Sequence, residues 1–518
     1  MSALTLAAVF SGGCVLQREK PVPVWGTAPP GETVTVSLNG RAASARAGED
    51  GRWTAVLPAA PAGGPWTLAV SCGGQTLRRE SVFLGEVWLA GGQSNMELSL
   101  ADSRNGTEAV RRSENPYLHY YQPAKAAAPE EADRLEGSLP GWRTVGPDTA
   151  GPLSAVAYYA ARTLSEHLPG IHIGVLVCCW GGTYAHCWLP REELSRFPEG
   201  RRRLDWYDAR MGSKSDEDFA RELDAYQRQV DGWNRRVADY RAAHPAAGWE
   251  AVNRDCGRYP WPPPAGRTGF QRPGNLYASM LRRLCPYALR GFWYYQGEQD
   301  EEWPEDYFRL LSALIRRWRR DWGDEDLPFL LAQLPMYRSA EEPADPMRWP
   351  VLRRAQAAAA EQLPGVELAV LADCGEYDNI HPTDKETPGV RLGLLALESV
   401  YGQEVAGRPP VCVEARREGE AVLLRFDHTG GGLRLTGGGF QIAGADGAFQ
   451  DAEAQVVSPD TVRVTGLRDP RAVRYAWYSF GPAGLYGGTG LAAAPLDWKS
   501  GEKASKIEQR QRTGSAGP

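Results

Sequence analysis

Val87-Trp88-Leu89-Ala90-Gly91-Gly92-Gln93-Ser94-Asn95-Met96-Glu97 is the stretch on which the fold turns. The apolar run 87–90 reads as a buried strand, and the glycines after it as the turn that ends it. That turn presents Ser94 where a strand stops, which is where open α/β sheets place their chemistry. Glycines there let the backbone bend sharply and leave room for a substrate against main-chain N–H groups. A serine becomes a nucleophile only with a base beside it. Far downstream, Asp378-Asn379-Ile380-His381-Pro382 offers one. An Asp and a His three apart on one loop can bond each other, leaving the second ring nitrogen for Ser94.

Four stretches occur in order: GGQSNME at 91–97, CWGGT at 179–183, YYQGEQD at 294–300 and DNIHP at 378–382. Together they resemble the SGNH (GDSL-type) hydrolase superfamily, and within it the sialate O-acetylesterase-like carbohydrate esterases. CVLQREKPVPVWG (14–26), SAVAYYAARTL (154–164), PYALRG (286–291) and AVRYAW (472–477) extend the resemblance over nearly the whole chain. It implies an α/β fold: a three-layer α/β/α SGNH-hydrolase core on a flavodoxin-like parallel sheet. It also implies a serine O-acetylesterase in which Ser94 attacks the acetyl carbonyl, His381 is base and then acid, and Asp378 orients the imidazole. The backbone N–H of Ser94 and one from the Gly181-Gly182 pair would meet the oxyanion. Gly182 is the choice here, although the sequence leaves the two glycines open.

The family commonly carries Asn where this chain has Asp300. An ionised Asp offers only acceptors, so Gln296, just past its strand, is expected to supply the side-chain donor. Gln93, Glu298, Asp300 and Trp180 flank these positions and are expected to contact substrate. The mechanism calls for no metal and no organic cofactor. Sialate O-acetyl groups are the leading substrate by resemblance, with acetylated xylan or mannan oligomers second. A non-catalytic carbohydrate-binding protein is the remote alternative, and the presence of Ser94, Asp378 and His381 argues against it. His381 must be neutral to act, so activity should fall on the acid side near about 6.5.

At 518 residues the chain exceeds one ordinary core, and two or three domains are expected. A net charge of −6 is small for this length and gives no sign of nucleic-acid or anionic-membrane binding. Nine cysteines, largely in apolar runs, show no zinc-site spacing and read as free thiols. With no convincing signal peptide at MSALTLAAVF, a cytoplasmic location is expected. No run approaches membrane-spanning length. Eighteen Trp and 21 Tyr read mainly as core, with a few left over as platforms for sugar faces. The oligomeric state is not legible.

Working outward, residues 1–84 alternate with period two between Gly/Pro turns and read as an N-terminal β-sandwich-like domain. Residues 85–402 alternate strands with helices, the pattern of a parallel sheet with crossover helices. Ser154 is positioned to cap one of those helices. An insert at about 191–273 interrupts the alternation. Within it Phe219, Leu223, Tyr226, Val230, Trp233, Val237 and Tyr240 recur at alternating spacings of four and three. They predict a long amphipathic helix starting near Ser215. Because the insert follows CWGGT directly, it is expected near the active face. Residues 408–498 read as a second, C-terminal β-sandwich-like domain, and 499–518 as a disordered tail.

Overall fold

One 18-residue strand, β1 (Gln75–Gly92), runs through both the N-terminal β region and the α/β region. The computed structural model describes residues 3–135, 138–244 and 247–500. The boundary expected at 84/85 therefore falls inside one continuous strand. Before that point β1 pairs antiparallel with Gly63–Cys72, and Val15–Gln17 lies parallel to Phe83–Gly85. Beyond it β1 becomes the centre of a parallel sheet.

That sheet contains β2 (Asn115–Tyr121), β3 (Arg143–Val145), β4 (Ile173–Cys179), β5 (Gly291–Tyr295), β6 (Phe329–Ala332) and β7 (Val366–Ala369). Its order is β7-β6-β5-β1-β4-β2-β3, parallel throughout except for the edge pair β2–β3. Every residue of β1 from Val87 to Gly92, and all of β4, β5 and β6, is buried. Apolar runs without alternation are what strands covered on both faces require. On β5 the two faces are visible directly. Trp293 stacks on Trp88 at 4.8 Å, while Phe292 and Tyr294 meet Trp318 at 5.5 and 5.7 Å.

Helix α1 is the single turn Ser94–Glu97. Helix α2 (Ala155–His167) is capped by Ser154, whose hydroxyl accepts the Ala157 N–H at 3.1 Å. In the insert, α3 (Pro198–Met211) is followed by α4 (Asp216–Ala243) and α5 (Trp249–Cys256). Helix α4 starts with a capping box between Ser215 and Asp218, which satisfies two orphan donors reciprocally. Phe219, Val230, Trp233 and Val237 of the expected seam are buried. Leu223 is 40 % exposed, lying between the Phe219 contact with the Gly266 loop and the stretch where α5 covers Trp233 and Val237. Helices α6 (Tyr307–Trp322), α7 (Arg348–Gln362) and α8 (Glu386–Ser399) alternate with the last strands of the sheet.

After residue 410 the chain forms two four-stranded antiparallel sheets and a two-stranded one. The last strand, Leu496–Lys499, takes in the first residue of the expected tail. Residues 501–518 lie outside the described residues, as do 1–2. Among the described residues no helix is long and apolar enough to cross a membrane.

At the amino end of the parallel half of β1, Glu86 is fully buried. It accepts hydrogen bonds from Arg18 (2.5 Å), Arg290 (2.6 and 3.0 Å) and Gln17 (3.1 Å). Burial pushes its pKa up, but Arg290, Arg18 and Gln17 outweigh burial and hold it below the usual value. This knot joins the N-terminal β region to the start of β5.

Candidate active site

Three of the four motifs meet because their strands end in register: Cys179 and Tyr295 both lie opposite Gly92. The turn after β1 (Gln93-Ser94), the turn after β4 (Trp180–Thr183) and the turn after β5 (Gln296–Glu298) are therefore neighbours. Gly92, with φ of +136°, must be glycine, since a Cβ there would fall 2.0 Å from the Tyr295 carbonyl oxygen. Ser94 opens α1 and is partly exposed.

The fourth motif follows β7, beyond β5 and β6, and its loop returns across the carboxyl ends of the strands. His381 Nε2 lies 2.8 Å from Ser94 Oγ. Burial, and then the positive charge of Lys385, push the His381 pKa down to about 4, so the ring is neutral at pH 7. This lies below the value near 6.5 expected for an unperturbed imidazole.

The bond expected between Asp378 and His381 is not formed. Asp378 takes a left-handed backbone conformation (φ +54°) that turns its carboxylate elsewhere. There it accepts from Arg258 (2.9 Å), the Ala340 N–H (2.9 Å) and Asn253 (3.4 Å). Burial raises its pKa, but these three donors together hold it below the ordinary carboxylate range. Asn253 lies on α5 and Arg258 just after it, so Asp378 fastens the insert to the histidine loop.

What secures that loop beneath the site is a buried polar cluster. Asn95 donates to Glu298 (2.5 Å) and to the Ile380 carbonyl (2.9 Å), and accepts from Lys385 Nζ (2.6 Å). Burial pushes Glu298 up to about 7 and Lys385 down to about 8. The second Glu298 oxygen is buried without a partner among the described residues.

The glycine pair divides its work. The Gly181 N–H is bonded to Glu97, which also pairs with Lys125. Gly182 is left-handed (φ +68°), and its N–H has no partner among the described residues. Gln296 does not fit the oxyanion role expected for it. Its amide nitrogen donates to Asp300 (2.7 Å), the Thr183 carbonyl (3.1 Å) and Gln93 (3.2 Å), and the residue is fully buried. It fastens the three strand ends to one another.

Three expected substrate contacts are likewise buried below the site. Gln93 accepts from Gln296 and from the N–H groups of Gly297 and Gln299, Glu298 is held by Asn95, and Asp300 accepts from Gln296 and the Ala185 N–H. Burial raises the Asp300 pKa, with Arg203 3.7 Å away opposing it. Trp180 is partly exposed and stacks on Phe270 at 5.1 Å. Sequence reasoning missed Asn95, Glu97 and Lys385, although the first two stand inside the GGQSNME motif and the third four residues after His381. Among the described residues no group of three or more His, Cys, Asp or Glu is placed to hold a metal ion.

Comparison with known proteins gives this site a context. A family model described as carbohydrate esterase, sialic acid-specific acetylesterase, matches residues 265–397. A solved structure of a carbohydrate acetylesterase from Xanthomonas citri is 30% identical, with a TM-score of 0.76 over 96% of this chain and 99% of its own. The sialate O-acetylesterase of Mus musculus is 26% identical over 77% of this chain and 74% of its own length. That of Homo sapiens is 24% identical over 77% and 71%.

Proposed function

This chain belongs to the carbohydrate acetylesterases, and from that premise we propose a serine mechanism in which Ser94 and His381 carry the removal of O-acetyl groups from sugars. The observation behind it is the 2.8 Å contact between Ser94 Oγ and a neutral His381 Nε2 at the carboxyl end of the central strand. His381 takes the Ser94 proton as Oγ attacks the acetyl carbon. The tetrahedral oxyanion lies between the N–H groups of Ser94 and Gly182, the glycine whose N–H is not engaged by Glu97. His381 then protonates the departing sugar oxygen, and water attacks the acetyl-serine by the reverse path. Asp378 acts at one remove, holding the histidine loop against Arg258 and Asn253.

Setting aside edge strands β2 and β3, the remaining five strands run in the order 2-1-3-4-5. We read this as the three-layer core of an SGNH hydrolase with β regions attached at both ends. The nine cysteines, all buried and free, support work in a reducing compartment such as the cytoplasm. O-acetylated sialic acid is the substrate that the family description and the mammalian relatives favour.

Ser94→Ala should lower turnover of p-nitrophenyl acetate and of acetylated sugars by about 10³-fold or more while the fold persists. Mass spectrometry of the quenched wild-type enzyme should find the acetyl group on Ser94. A folded Ser94→Ala variant with near wild-type turnover would falsify the assignment.

A further inference from the structure

Beside the catalytic turn the insert and the turns after β4 and β5 line an open, largely polar cleft of about 510 Å³, with Tyr184, Trp206, Arg210, Trp261, Gln299 and Glu302 among its walls. That volume lies within the roughly 300–1,000 Å³ usual for ligand sites. The cavity touches the reacting centre on two sides. The Trp261 ring lies against Gly182, where a Cβ would fall 2.3 Å from it, and Gly181 is itself packed on Ser94. On the other side, the Gln299 N–H donates to Gln93, the residue before the nucleophile, at 3.3 Å.

The aromatic rings are fixed in place. Trp261 is 44 % exposed, yet the loop that carries it is tied to α4 at two points. Tyr226 donates to the Pro260 carbonyl (3.0 Å) and Trp233 to the Gly257 carbonyl (2.6 Å). Trp206 meets Tyr184 and Trp303 edge-on at 5.4 and 5.0 Å, and the Arg210 guanidinium lies over its ring at 4.8 Å. A large ring held open to water by an anchored loop marks a binding surface rather than a core.

The polar groups of the cavity balance. Glu301 is used by Trp349 (3.0 Å) and Arg348 by Glu342 (3.6 Å). Arg210 and Glu302 form no ion pair among the described residues. One cationic donor and one anionic acceptor beside the exposed Trp261 ring match a sugar, which has apolar ring faces and an edge of hydroxyls that both donate and accept. An anionic ring would gain from Arg210 what it lost to Glu302.

We propose that this cavity is a subsite for a neutral sugar ring adjoining the acetylated one, so that the enzyme prefers acetylated oligosaccharides to acetylated monosaccharides. The proposal rests on the esterase reading above and adds the size and charge of the leaving group. Its test compares chemically O-acetylated xylotetraose, mannotetraose and sialyllactose with acetylated xylose, mannose and N-acetylneuraminic acid. Wild type should favour at least one oligosaccharide over its monosaccharide by tenfold or more in kcat/KM. Trp261→Ala and Arg210→Ala should each reduce that ratio at least fivefold, chiefly through KM. No preference in any pair, or equal losses on both members, overturns the subsite. If no acetylated sugar is cleaved, the esterase reading fails separately. The subsite is then judged by calorimetric titration of Ser94→Ala with unacetylated xylotetraose, mannotetraose and lactose. Binding that Trp261→Ala abolishes supports the subsite, and its absence with all three overturns it.

Discussion

The two ends of the parallel half of β1 bury carboxylates in opposite ways. At the amino end Glu86 is gripped by two arginines and a glutamine, and its pKa lies below the ordinary value. Beside the carboxyl end Glu298 keeps one oxygen unpartnered among the described residues, with the charge of Lys385 opposing burial, and its pKa is driven up to about 7. Both carboxylates are nearly inaccessible to water. Burial is therefore not what separates a fastening from a working site; the degree of pairing is. A fully paired charge fixes geometry and titrates outside the working range. An under-paired one leaves charge that shapes its neighbours, as Lys385 does to His381.

The largest effect should come from breaking the paired end. Arg290→Ala leaves Glu86 buried with Arg18 and Gln17 alone. Removing one partner of a buried pair costs about 3–5 kcal/mol, and the low end applies because two donors remain. Urea denaturation should show that loss at pH 7. The depressed pKa of Glu86 means its contribution exists above the unfolded value and is lost as pH falls, so the deficit should shrink below about pH 4.5. Activity per folded molecule should hold, since the serine end lies at the other end of the strand. A catalytic defect with unchanged stability would reverse the roles assigned to the two ends.

Next in size is the acid limb of activity. With His381 at about 4, kcat/KM on p-nitrophenyl acetate should stay flat from pH 8 to below 6 and fall only as the ring protonates near 4. Lys385→Met removes the charge that opposes imidazolium. The limb should then rise by about one unit, worth about 1.4 kcal/mol. It should remain below 6.5, because burial is the larger cause. A wild-type limb already at 6.5 would show that neither burial nor Lys385 acts on the ring as the geometry implies.

The same contrast explains what was legible in the sequence. The strand at Val87–Ala90, the Ser154 cap and a helix start near Ser215 follow from local rules, and the structure keeps all three, although the strand runs on through Gly91 and Gly92, which read as its terminating turn. The meeting of Ser94 with His381 was legible because motif text marked both. The partners of Asp378 were not, since an i, i+3 spacing on a loop does not set φ, and a residue at +54° aims its carboxylate away from the ring. Gln296 failed as an oxyanion donor for a similar reason. An amide at a strand end reads as available until Asp300, Thr183 and Gln93, brought there by three different segments, consume it. The change of pattern at 84/85 reads as a domain boundary in the sequence, and what it hides is that one strand carries the chain across it, exchanging partners as it goes.

The smallest effect is the sharpest on the comparison, and it comes from one isosteric change made at each end. Glu298→Gln keeps an acceptor for the Asn95 amide and removes only the ionisable oxygen. Because the folded pKa of Glu298 lies above its unfolded value of 4.5, its contribution to stability is full below 4.5 and is lost as pH rises through about 7. Glutamine cannot ionise and escapes that loss. The variant should therefore gain on wild type between pH 5 and pH 8, by about 1 kcal/mol, less than full linkage because Lys385 loses its opposing charge. Glu86→Gln should do the reverse. It gives up a carboxylate whose ionised form is favoured, so its deficit should grow as pH rises toward about 4.5 and level off above it. Two Glu→Gln changes, at buried sites toward opposite ends of one sheet, should thus give pH slopes of opposite sign in parallel denaturant titrations. Slopes of the same sign would mean that pairing does not distinguish the two ends, and that the raised pKa of Glu298 has another origin.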